Sequence, residues 1–102
     1  MPSRPVSKVV KRKVKLRNKL GLHARPSTQI ASLASQFESE IFLVKEEPNG
    51  QTMRANAKSV FGIMMLTAPM GTELVIEAKG PDAEEAVEAL AHLIEVEKFN
   101  ED

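Results

Sequence analysis

From Val10 the chain alternates. Val10, Val14 and Leu16 share one parity and Lys11, Lys13 and Lys15 the other, with Arg12 the exception on the apolar side. A period of two is that of a half-buried strand. Asn18-Lys19-Leu20-Gly21 breaks the pattern. Beyond it Ala24, Ile30, Ala31, Leu33, Ala34 and Phe37 fall mostly at spacings of three and four, which predicts a helix over residues 24–37. Pro26 sits in its first turn, where a missing N–H costs nothing. The apolar run inside residues 40–45 predicts a strand, Pro48-Asn49-Gly50 a turn, and residues 51–56 the returning strand of a hairpin. Residues 59–66 are short, apolar and Met-rich, and predict a helix with Ser59 as its N-cap. After the turn Pro69-Met70-Gly71, residues 72–79 alternate, with Leu74, Ile76 and Ala78 opposite Glu73, Glu77 and Lys79. Gly80-Pro81 ends this strand. Asp82 and Glu85 form the pattern of a capping box, and Ala83, Ala86, Val87, Leu90, Leu93 and Ile94 give the last helix a continuous apolar stripe.

The order is β-α-β-β-α-β-α, which predicts an α+β layer fold: a four-stranded antiparallel sheet with three helices on one face. With 102 residues the chain is one domain, expected over residues 8–102 behind a loose leader at 1–7. Hydrophobic residues make up 42% and charged residues 27%, a balance that suits a folded domain and not a disordered chain. There is no Cys, which removes disulfides, zinc–thiolate sites and cysteine nucleophiles. No apolar run is long enough for a membrane span and the start of the chain lacks a secretory apolar stretch, so the expected location is the cytoplasm. The net charge is zero but unevenly spread: Lys8, Lys11, Arg12, Lys13, Lys15, Arg17 and Lys19 cluster early, and acidic residues dominate from Asp82 onward. Because the basic residues alternate with Val and Leu, the cluster is expected on the wet face of a strand, where it would steer an acidic partner.

The chemistry concentrates in residues 21–28, Gly-Leu-His-Ala-Arg-Pro-Ser-Thr. Gly21 permits a sharp turn between strand and helix. His23 then falls at or near the N-cap, where unpaired amides and the positive end of the helix dipole converge, a ready site for phosphate. The same field disfavours extra positive charge, so a neutral, nucleophilic imidazole is expected. Arg25 adds a guanidinium able to bind two phosphate oxygens. Phosphoryl transfer asks for positioning and charge neutralisation more than acid–base machinery. A histidine before a helix is by itself commonly a plain surface residue; the combination of Gly21, Arg25, Pro26 and a strand leading in sets this one apart.

That octet resembles, at every position, the active-site motif of HPr, the phosphocarrier of the bacterial phosphoenolpyruvate-dependent phosphotransferase system. The resemblance extends over about residues 10–95. It implies an open-faced β-sandwich, phosphorylation of His23 on Nδ1, assistance from Arg25, and phosphate held by the backbone amides of Ala24 and Arg25. It implies enzyme I as donor and an enzyme IIA domain as acceptor, for sugar uptake and its regulation, with the carrier a monomer. Residues 56–64, Asn-Ala-Lys-Ser-Val-Phe-Gly-Ile-Met, resemble the family's second motif. There Ser59 corresponds to a regulatory serine, phosphorylated in some bacteria by a dedicated HPr kinase/phosphorylase; simple helix capping accounts for the residue equally well.

Val60, Phe61, Ile63, Met64, Met65 and Leu66 cannot all lie on one stripe, so part of this helix is expected to be exposed, with Phe61 and Met65 on a partner-docking surface. Three features depart from the family pattern: a longer stretch between His23 and Ser59, placed at Glu46-Glu47-Pro48-Asn49-Gly50; Thr67 where glycine is common; and the basic leader. His92 falls off the apolar stripe and is expected in solvent; no metal or cofactor site is expected. Without a nucleotide loop or nucleophile triad the chain is not expected to be an independent enzyme. Two alternatives stand. Asn18-Lys19-Leu20-Gly21 and Lys98-Phe99-Asn100-Glu101-Asp102 look like the paralogue of a regulatory, nitrogen-linked branch. The basic first strand allows a small anion- or nucleic-acid-binding module, against which the lack of interleaved aromatics counts.

Overall fold

The computed structural model describes residues 9–101; the expected leader at 1–7 lies outside them. The elements are β1 (Val9–Lys15), α1 (Ala24–Ala34), β2 (Glu40–Glu46), β3 (Thr52–Asn56), α2 (Val60–Met64), β4 (Glu73–Lys79) and α3 (Ala83–Ala91). Past α3 the chain continues as a widened π-helical turn, His92–Val96, and ends in a tight turn, Lys98–Asn100. The strands form one antiparallel sheet in the order β1-β4-β2-β3. The helices pack on one face of it. Val14, Ile41, Leu43, Leu74 and Ile76 meet Ile30, Ile63, Leu90 and Ile94 in the core between the layers.

The alternation in β1 holds, and Arg12 explains itself. It lies beside Ile76 on the helix-facing side, yet at the margin, where its guanidinium reaches Glu88 of α3. On the open face Lys11 faces Glu77 at 3.8 Å and Lys13 faces Glu73 at 3.9 Å. Arg54 bridges to Glu77 at 2.8 Å and stacks over the Phe42 ring at 4.7 Å, which accounts for an aromatic residue on the uncovered side of an apolar strand.

Two expectations change. The helix over residues 24–37 ends at Ala34, and the amides of Gln36 and Phe37 instead close short turns onto the Leu33 and Ala34 carbonyls. The capping box at Asp82 does not form. Asp82 is the N-cap residue of α3, but its carboxylate accepts from the amides of Glu38 and Ser39, both at 2.9 Å, and from the Ser39 hydroxyl at 2.6 Å. The two changes share a cause. Asp82 takes up the backbone entering β2, so the chain leaves the α1 axis early. Lys58 Nζ donates to the Phe37 carbonyl, three residues past the end of α1, at 2.8 Å.

These bonds, led by that from the Ser39 hydroxyl, hold the Asp82 carboxyl below its ordinary range. Its contribution to stability is therefore complete above the unfolded-state value and is lost as pH falls through the lower folded value. Asp82→Ala should lower the melting temperature by a few degrees at neutral pH and make the acid limb of a pH–stability curve shallower, as thermal melts across that range would read.

Thr67, at the position where glycine is common, has φ 45°. The left-handed conformation is retained without glycine. Lys45 Nζ donates to the Leu66 carbonyl at 2.9 Å and to the Thr67 carbonyl at 3.4 Å, holding the end of α2.

Candidate functional site

Gly21 has φ 65°, and a Cβ there would overlap the Ala68 carbonyl oxygen. Only glycine fits both demands. The Leu22 amide donates to that same carbonyl at 2.9 Å, so the loop entering α1 lies directly against the loop leaving α2.

His23 follows as the N-cap of α1, with extended backbone (φ −82°, ψ −171°) and a carbonyl that accepts the Ser27 amide at 3.1 Å. Its side chain makes no cap bond and is one-third exposed. Among the described residues no backbone acceptor faces the amides of Ala24 and Arg25. The helix mouth thus presents two free donors beside the ring, with the exposed Arg25 in the same turn. The sequence-derived group His23, Ala24 and Arg25 is brought together.

The structure adds two residues that the sequence reading did not place at this site. Glu101 lies against His23, its two carboxylate oxygens 3.0 and 3.2 Å from Nε2. Asn18, fully buried, donates through Nδ2 to Glu101 at 3.0 Å and to the Gly21 carbonyl at 2.8 Å. A carboxylate can only accept, so a neutral His23 ring carries its hydrogen on Nε2 and leaves the lone pair of Nδ1 free. Burial pushes the Glu101 carboxyl up, but the Asn18 and His23 hydrogen bonds and the charges of His23 and Arg25 outweigh it and hold the group below its ordinary value. The tail reaches the site through three successive left-handed residues, Lys98 (φ 50°), Phe99 (57°) and Asn100 (56°). Phe99 is fully buried and its carbonyl accepts from Gln29 Nε2 of α1 at 3.1 Å. A lone aromatic in a polar tail was the available sign of this anchor.

Ser59 caps α2 as expected, accepting the Gly62 amide at 3.1 Å. Phe61 is 81% and Met65 71% exposed, whereas Ile63 and Leu66 are buried. Leu20 and Met70 are also exposed. His92 lies in solvent, paired to Glu97 at 3.1 Å. On β1 the exposed Lys11 and Lys13 each face a glutamate of β4.

A histidine ring at a helix mouth, on an open-faced α+β sandwich, is an arrangement suited to a small phosphoryl carrier. The family model described as "PTS HPr component phosphorylation site" matches residues 10–96. The phosphocarrier protein HPr of Neisseria meningitidis serogroup A is 43% identical over 84% of this chain and 91% of its own length. The phosphocarrier protein NPr of Shewanella violacea is 42% identical over 90% of this chain and 94% of its own. The crystal structure of HPr-C-His from Thermoanaerobacter tengcongensis superposes with a TM-score of 0.78 at 39% identity, over 91% of this chain and 98% of that one. The chain belongs to the HPr family of phosphotransferase-system phosphocarriers. Among the described residues no helix is long and apolar enough to cross a membrane.

Proposed function

We propose that His23 is the residue that carries the phosphoryl group, on Nδ1, taking it from enzyme I and passing it to an enzyme IIA domain. The observation that supports this most is the contact of Glu101 with Nε2, which commits that nitrogen and leaves Nδ1 as the nucleophile beside the free amides of Ala24 and Arg25. Arg25 would gather the phosphate oxygens and neutralise their charge. The test is incubation with phosphoenolpyruvate and purified enzyme I. A phosphate labile in acid and stable in base is expected, with phosphorus coupled to Nδ1 by NMR; uptake on any other residue overturns the assignment.

Phe61 and Met65 suit a docking surface for enzyme I, since both are apolar and exposed, at α2, and the loop that follows α2 abuts the loop leading to His23. The double variant Phe61→Ser/Met65→Ser should lose tenfold or more in transfer from enzyme I, about 1.4 kcal/mol or above, in the range of exposed interface anchors. Stability should change by no more than about 0.5 kcal/mol. Stopped-flow transfer and urea titration check both halves. Regulatory phosphorylation of Ser59 rests on family resemblance alone: the hydroxyl is half-buried and engaged by Gly62.

One observation favours the nitrogen-linked reading as a second branch assignment. The two segments that resemble that paralogue, around Asn18 and around Glu101, are a single unit joined by the 3.0 Å bond of Asn18 Nδ2 to Glu101. Comparing uptake rates from the donor enzymes of the two branches decides between them.

A further inference from the structure

We infer that Glu101 is a positioning residue that keeps a proton on Nε2 of His23 throughout the phosphoryl cycle, so that the group on Nδ1 always leaves from a cationic ring. The inference rests on His23 being the carrier residue and goes on to say what governs the lifetime of the phosphorylated state.

The structure builds the carboxylate into place. The left-handed turn Lys98–Asn100 reverses the chain without a glycine, a conformation that non-glycine residues hold only when their surroundings enforce it. Buried Phe99 and the bond from Gln29 to its carbonyl are that enforcement. Asn18 then fixes the carboxylate from the other side, and its own Oδ1 is buried with no partner. Turning the amide over would satisfy neither Glu101 nor the Gly21 carbonyl, since both can only accept. Among the described residues the charged or polar groups facing Glu101 are His23 and Arg25 at the α1 mouth and Asn18 in the preceding loop.

The bookkeeping of the transfer shows what this arrangement does. In uptake the Nδ1 lone pair forms the N–P bond while the bond from phosphorus to the donor's leaving atom breaks and its electron pair stays with the donor. The His23 ring, already protonated on Nε2, becomes a cation, and Glu101 is its counter-ion. In onward transfer the acceptor's nucleophile forms the new bond to phosphorus and the N–P pair returns to Nδ1. The ring is then neutral with the same proton still on Nε2. No proton has to enter or leave. Without the carboxylate the phosphorylated ring would lose that proton at lower pH, and the pair would have to depart onto an anionic imidazole, a poor leaving group.

The test compares the full-length protein with Glu101→Gln, which keeps an acceptor but removes the charge, with Glu101→Ala, which removes both, and with Glu101→Asp. In the wild type, the ¹⁵N shifts of unphosphorylated His23 should report the Nε2–H tautomer when neutral, and Glu101→Ala should give a mixture. After phosphorylation, hydrolysis and onward transfer at about pH 8 should be roughly tenfold slower in Glu101→Gln than in wild type and converge with it in mild acid, where both rings are protonated. Glu101→Asp should recover part of the difference. Superimposable pH–rate profiles for wild type and Glu101→Gln, or an unchanged tautomer in Glu101→Ala, overturn the inference. A wild type that takes up no phosphoryl group defeats the carrier assignment instead, and the nitrogen shifts then judge Glu101 separately.

Discussion

His23→Ala is expected to take up no phosphoryl group at all while keeping the fold, with a melting temperature lowered only by loss of the Glu101 contact. The side chain is one-third exposed and contributes no cap bond to α1, so its removal leaves the core and the helix start unchanged. The proposed Nδ1 nucleophile has no substitute in His92, the other imidazole, which lies on the π-helical turn, outside the α1 mouth, paired with Glu97. Arg25→Ala separates chemistry from charge. It should keep the fold and take up phosphate slowly, by about two to three orders of magnitude, the usual cost of losing one electrostatic donor to a developing anion. Single-turnover uptake from phosphorylated enzyme I, with circular dichroism melts in parallel, reads both variants. Normal uptake by His23→Ala would remove the foundation of the proposed function.

Phe99→Ala is expected to have the largest effect on stability. The ring is fully enclosed, and truncating a buried phenylalanine costs about 3–5 kcal/mol. That is a large share of the 5–15 kcal/mol that holds a domain together. The damage should also reach the site. Once the ring is lost, the Gln29 bond to the carbonyl of residue 99 is left to balance the left-handed backbone of Lys98, Phe99 and Asn100, and Glu101 is expected to leave Nε2. Urea unfolding gives the first quantity. The His23 ring shifts in the still-folded fraction give the second, and they should match those of Glu101→Ala.

The contrast between His23 and Glu101 shows what the sequence disclosed. His23, Arg25, Pro26 and Gly21 act within one turn of each other, and local rules of capping, helix charge and glycine conformation are enough to assemble them. The strands were legible for the same reason: the parity of Val14 or of Leu74, Ile76 and Ala78 is a property of neighbouring positions. Glu101 meets His23 across 78 residues through a backbone turn that propensity disfavours at Lys98 and Phe99, so no local pattern points to it. Asp82 failed differently. The Asp82–Glu85 spacing is a genuine capping pattern, but Ser39, 43 residues away, offers the carboxylate a better set of donors. Local preference yields where tertiary structure supplies a stronger partner.

The close seam at Gly21 sets the mechanical character of the molecule. Because the backbone before His23 abuts the Ala68–Pro69 stretch with no room for a side chain, and the Leu22 amide locks onto the same carbonyl, the reactive imidazole and the apolar ridge of α2 share one rigid foundation. If Phe61 and Met65 form the proposed seat for enzyme I, a protein docked there would be registered against the ring through this seam, and successive visitors of unlike shape would meet the same nitrogen in the same place.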